Sequence, residues 1–192
     1  MSPLSPLGIY GFAPTAGAAD TGAMDPLQVV TVGAAGASSI TFSNIPNTYE
    51  HLQVRMIVRD TRAVTLEGFK VQFNSDTAGN YSDHALYGDG SSAAAYANTS
   101  ATYMSPYAIA SANATASVFG VSVIDILDYA STNKYKTIRA LTGIDNNGSG
   151  AVSLTSGNWR STSAITSIKI SAQVGDLVQY SQFALYGVKG AA

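Results

Sequence analysis

The side chains of this chain that could do chemistry are few, and their spacing works against it. There are two histidines, His51 and His84, and no cysteine, whereas a zinc site draws three or four ligands from His, Cys and carboxylate. Ser82, Asp83 and His84 supply the residue types of a hydrolytic triad, but they are consecutive. Neighbours on a strand point to opposite faces, so one side chain cannot relay a proton to the next. Asp125 and Asp128 match a glycosidase carboxylate pair in type only, because three positions apart on a strand they too face opposite ways and mark a strand end. Asp145, Asn147 and Ser149 imitate the first ligands of a calcium loop, yet no glutamate closes it, and a hairpin turn is the simpler reading. No nucleophile elbow, phosphate loop or dinucleotide fingerprint occurs. The residues therefore predict no catalytic, cofactor-binding or metal-binding set, and a protein that is not an enzyme.

Binding character is easier to find. Tyr81, Tyr87, Tyr96, Tyr103 and Tyr107 are five of eleven tyrosines, set among Ser, Gly, Asn and Ala, a mixture that suits adaptable recognition loops. Tyr87, Tyr96, Tyr103 and Tyr107 are the candidates for contact with a second copy of the chain or with a host-surface glycan or protein. Trp159 could stack on a sugar, though an aromatic at a core or rim position is the commoner case.

Residues 1–26 read as an extended arm. They hold Pro3, Pro6, Pro14 and Pro26, four of the six prolines, which exclude a helix or a central strand. They also hold an apolar cluster, Leu4, Leu7, Ile9, Tyr10 and Phe12, of a kind that disordered linkers avoid. No Lys or Arg precedes Arg55, so the arm is no tether for nucleic acid or for an anionic membrane surface. It reads as a clamp on protein.

Residues 27–192 are then a single body, all-β and most simply a jelly-roll-like antiparallel sandwich. Charged residues make up 11% of the chain, against roughly 25% in an average soluble domain, and few helical surfaces can be written with so little charge. Low charge with 46% hydrophobic content suits a subunit whose surface is partly covered in an assembly. Without cysteine, signal peptide or apolar span, the expectation is a soluble product of the cytoplasm. The sequons at Asn80, Asn98, Asn113 and Asn147 are then chance products of a Ser/Thr-rich chain. Period-two alternation predicts strands over 27–32, 38–42, 50–59, 68–74, 117–127, 134–144, 151–156, 165–172 and 179–188. The clearest places Leu52, Val54, Met56 and Val58 on one face, with Ile57 as the exception. Turn residues at 74–80, 88–90 and 145–150 separate antiparallel strands. The segment 91–116 is too long for a structureless loop and should hide a strand near 102–110 or pack on another subunit.

The segments Ile40-Thr-Phe-Ser-Asn-Ile-Pro46, His51-Leu-Gln-Val-Arg55, Phe73-Asn-Ser-Asp76, Val123-Ile-Asp-Ile-Leu-Asp-Tyr-Ala130, Trp159-Arg-Ser-Thr-Ser-Ala-Ile-Thr166 and Phe183-Ala-Leu-Tyr-Gly-Val-Lys-Gly190 resemble a family of tailed-bacteriophage virion proteins. The resemblance runs from 38 to 190 and leaves the arm outside it. It implies a structural protein of capsid, tail or fibre with a jelly-roll-like domain and no active site. The expected role is a capsid decoration, or cement, protein on the outer head surface, a homotrimer whose arm clamps the major capsid protein or another virion protein. The alternative is a tail or head fibre domain that recognises the host; an enzyme acting on polysaccharide is a distant third.

Overall fold

The computed structural model describes residues 22–190. Twelve strands follow one another: β1 (Met24–Thr31), β2 (Ile40–Phe42), β3 (His51–Val58), β4 (Leu66–Phe73), β5 (Tyr81–Gly88), β6 (Ala93–Ala101), β7 (Tyr107–Ala110), β8 (Gly120–Leu127), β9 (Lys136–Asp145), β10 (Gly150–Trp159), β11 (Ile168–Ala172) and β12 (Gln182–Val188). They form two antiparallel sheets, one of eight strands in the order β1-β12-β3-β8-β9-β10-β5-β6 and one of four in the order β2-β11-β4-β7. The chain is thus an all-β sandwich, as its alternation and lack of helix-forming charge predict. No helix among the described residues is long and apolar enough to cross a membrane.

The connectivity has a simple kernel. Setting aside the hairpins β5–β6 and β9–β10, which extend one end of the large sheet, leaves β1-β12-β3-β8 facing β2-β11-β4-β7. Along the chain β1, β2, β3 and β4 alternate between the two sheets, and β7, β8, β11 and β12 do so again. Between the sheets lies one core: Leu52, Val54 and Met56 of β3 and Ile124 and Ile126 of β8 pack in one cluster with Phe69, Val71 and Phe73 of β4 and Ile168 and Ile170 of β11. A smaller cluster of Ala108, Ala110, Ala114, Ile144 and Ala151 seals the β7 side.

Most predicted strands fall within a few residues of the observed ones, and three points differ. First, the body begins earlier: Met24, Asp25 and Pro26 belong to β1. This is an edge strand with an irregularity in register between Pro26 and Gln28, a position where the missing proline N–H costs no sheet bond. The rest of the predicted arm, with Leu4, Leu7, Ile9, Tyr10 and Phe12, lies outside the described residues. Second, 81–88 and 93–101 form the paired strands β5 and β6, and the strand sought near 102–110 is the short β7. Third, 74–80 joins β4 of the small sheet to β5 of the large one, so it crosses the sandwich and is no hairpin turn. The segments at 88–90 and 145–150 do close hairpins, β5–β6 and β9–β10.

Candidate functional site

The residues with catalytic types are dispersed. Asp83 is buried, where it accepts hydrogen bonds from Asn98 Nδ2 at 2.8 Å and from the Ser105 backbone N–H at 2.9 Å, while His84 is on the opposite, exposed face of β5. Ser82, Asp83 and His84 therefore do not converge, for the reason their adjacency predicts. Asp125 lies on the outer face of β8, held by Gln53 Nε2 at 2.8 Å and Arg139 at 2.9 Å. Partial burial pushes its carboxyl up, but the two donors outweigh it and hold the group below its ordinary value. Asp128 sits past the strand end at φ 50° and pairs with Lys134.

Among the described residues, one group of His and carboxylate atoms converges: Glu50, His51 and Asp128 lie within 4.8 Å of one another. Two of its members are already engaged. His51 Nδ1 accepts the Asp128 backbone N–H at 3.0 Å and Lys134 occupies an Asp128 oxygen, so the cluster reads as the pinned end of β8. In the β9–β10 turn, Asp145 Oδ1 accepts the Asn147 N–H at 2.9 Å and Asn146 Nδ2 donates to Ser149 Oγ at 3.1 Å. These bonds make Asp145, Asn147 and Ser149 a self-capped hairpin.

The aromatics are spent inside the chain. Trp159 is 2% exposed, stacks with Tyr81 at 6.4 Å, meets Phe73 edge-on at 5.6 Å, and donates its Nε1–H to Asp76 at 2.7 Å; no face is left for a sugar. Tyr81 is fully buried, and burial pushes its hydroxyl up to about 12. Tyr87, Tyr96 and Tyr107 pack on each other, with Tyr87 at 5.0 Å from Tyr107 and 6.4 Å from Tyr96. Tyr96 donates to the Ser105 carbonyl and is pushed up to about 12 by burial, with nearby Asp83 adding to the effect. Tyr103 stands apart, its ring under Lys70 Nζ at 5.0 Å. The tyrosines thus fasten the 102–107 segment against β5 and β6, and only their partly exposed edges remain for a partner.

The surface that the residue types did not predict is the outer face of the large sheet. Cross-strand pairing aligns Val29, Ala184, Arg55 and Val123, and continues the same row through Leu141, Leu154, Leu86 and Ala95. The row crosses all eight strands. The adjacent row takes Ile57, Val121 and Gly143 on to Val152, Gly88 and Ala93. Val29, Leu86, Val121, Leu141 and Val152 are each more than half exposed, and Ile57, Val123 and Leu154 only somewhat less. A third row carries the polar border, Gln53, Asp125, Arg139, Ser156 and His84. A shallow hollow of about 390 Å³ between Val123, Asp125, Arg139, Leu141 and Leu154 marks the middle of the face. The one sequence signal of this surface is Ile57, the residue that breaks the alternation of β3. No protein-family model matches this chain, and neither the curated proteins nor the solved structures compared with it hold a match.

Proposed function

We propose that this chain is a structural protein of a tailed-bacteriophage virion, a decoration or cement subunit that sits on the outer head surface as a homo-oligomer. In this reading its eight-strand kernel is a jelly roll, a sandwich of two Greek keys, supported by the alternation of β1, β2, β3, β4, β7, β8, β11 and β12 between sheets. The observation that carries the reading is the broad apolar outer face on a chain with 11% charge, because monomeric proteins rarely leave such a patch to water. The resemblance in the segments from 38 to 190 supplies the virion. The arm, with Leu4, Leu7, Ile9, Tyr10 and Phe12, is the clamp on the major capsid protein; at about 3.3 Å per extended residue the part that precedes β1 reaches on the order of 70 Å, enough to cross to a neighbouring subunit. The protein is made in the host cytoplasm and needs no cofactor.

Copy number tests this directly: hundreds of copies on purified heads are expected, and a few copies confined to tails would overturn it. Deleting residues 2–12 should leave a folded protein that no longer decorates expanded heads, and undiminished decoration would refute the clamp. The second reading, a fibre domain that recognises a host glycan or protein, rests on the partly exposed edges of Tyr87, Tyr96, Tyr103 and Tyr107. It requires that purified protein bind host cells and block adsorption.

A further inference from the structure

In the middle of β10 the alternation is inside out, although Ala151 and Trp159 nearer its ends face the core as usual. Its inward residues Ser153 and Thr155 are fully buried, whereas its outward residues Val152 and Leu154 are 61% and 48% exposed. The buried side is polar yet satisfied, since the Ser153 and Thr155 hydroxyls lie within 3.4 Å of each other and the neighbouring Ser122–Thr142 pair bonds at 2.9 Å. A strand that faces water on one side normally does the reverse, leucine in and hydroxyls out. Leu86 of β5, Leu141 of β9 and Val121 of β8 repeat the anomaly beside it. These strands are written for a sheet covered on both faces.

We propose that the outer face of the eight-stranded sheet is the self-association surface of the protein, and that its occupant is the same face of a second copy. Breadth argues for this occupant. At about 4.8 Å of width per strand and about 6.8 Å per row, eight strands and three rows make the face roughly 38 Å by 20 Å. Two such faces bury on the order of 1,500 Å² together, within the range of about 1,200–2,000 Å² for stable specific interfaces. A single straight segment would cover about one row, and the chain's own residues 1–21, with a reach of about 70 Å, no more than about two of the three. Shape and charge agree. Bulky Leu141, Leu154 and Leu86 stand beside the small Gly143, Gly88 and Ala95, a relief of ridges and hollows that a second copy can interlock with. The charges of the face are already matched or stacked: Asp125 bonds Arg139 at 2.9 Å, and Arg55 lies over the Tyr186 ring at 5.4 Å. Nothing there is left to select a strongly charged partner. The inference needs the homo-oligomer of the proposed function but neither the virion nor the arm.

The test is sedimentation of the full chain at micromolar concentration beside the double variant Leu141→Lys, Leu154→Lys. The intact chain should run as a dimer, or an even multiple, of its 19.8 kDa subunit, and the variant should no longer pair through this face while keeping its circular dichroism spectrum. An intact chain that is monomeric, or a folded variant that keeps the full mass, overturns the proposal. So does an oligomer that dissolves when residues 2–12 are deleted and survives the double lysine change, because the arm would then be the contact. Should the lysines prevent folding, single cysteines introduced as Leu154→Cys and Ser149→Cys give a second reading in a chain with no native thiol. In the assembled protein the thiol at 154 should react with a soluble disulfide reagent at least tenfold more slowly than the thiol at 149, and equal rates overturn the proposal. Absence from phage heads would count against the virion and leave this result standing.

Discussion

Asp60 is fully buried in the connection after β3, one of whose oxygens accepts the Arg62 N–H at 3.0 Å. Its other oxygen and the Ser111 hydroxyl lack a hydrogen bond of normal geometry among the described residues. Burial pushes the Asp60 pKa up, against the opposing pull of Ser111, Arg62 and Arg59. A raised folded pKa means the proton binds the native state more tightly, so stability falls as pH rises from the unfolded value through the folded one. Asp60→Asn keeps the acceptor and removes the charge. It should raise the thermal midpoint at pH 7 by the equivalent of about 1 kcal/mol, and melting scans should show the gain vanish below pH 3. A gain independent of pH would contradict the assignment. Tyr81 offers the opposite case. Its hydroxyl accepts the Phe73 N–H at 2.9 Å and lies 3.1 Å from the Asp76 carbonyl oxygen, so it holds the crossing from β4 to β5. Tyr81→Phe should cost about 1–3 kcal/mol in denaturant unfolding, because it leaves buried backbone groups unpaired. Neither role can be read from residue type: the sequence marks Tyr81 as one of a surface-like run, and only the crossing of the sandwich buries it.

At the scale of elements, legibility tracked amphipathic contrast. In β3, Leu52, Val54, Met56 and Val58 are all buried and Arg55 and Ile57 exposed, so period two sufficed and the single misfit was informative. In β6 the sequence Ala93-Ala-Ala-Tyr-Ala-Asn-Thr-Ser-Ala101 carries almost no contrast. It is a strand because β5 pairs with it, a non-local cause that local pattern cannot express. The β9–β10 hairpin was legible in its turn and illegible in its faces, since Val152 and Leu154 of β10 point away from the core while Ser153 and Thr155 point into it. Close approach is equally hidden. The Tyr49 ring lies flat on Gly187 of β12, where an added Cβ would come within 2.4 Å of it, and the Tyr49 hydroxyl is fastened to Asp25 of β1 at 3.1 Å. Gly187→Ala should therefore loosen the β1 edge and cost about 1–3 kcal/mol, with faster hydrogen exchange in β1 than in β8. Uniform exchange in the two strands would contradict this.

For the whole molecule, the composition carried more than the motifs did. The scarcity of charge pointed to an all-β subunit of an assembly, and the sandwich of eight and four strands fits the first part of that reading. Where the exposed apolar face lies was not legible, because in strands with apolar residues at outward positions, such as β8 and β10, the two faces can be told apart only once the pairing of the sheet is known. That same pairing exposes a cost of the design. Moving β10 by one residue against β9 and β5 would exchange its faces, carrying Val152 and Leu154 inward and turning Ser153 and Thr155 out. In the middle of the strand this slip would hide Val152 and Leu154 from water, but it would also expose Ala151 and Trp159, which are buried in the native register. The native alignment is held from the ends of the strand. At one end Gly150 adopts φ 145°, where a Cβ would meet the Ile144 carbonyl oxygen at 2.3 Å; at the other Trp159 is moored to Asp76. In the proposed self-association, covering Val152 and Leu154 would add to the preference for this native alignment over the slipped one.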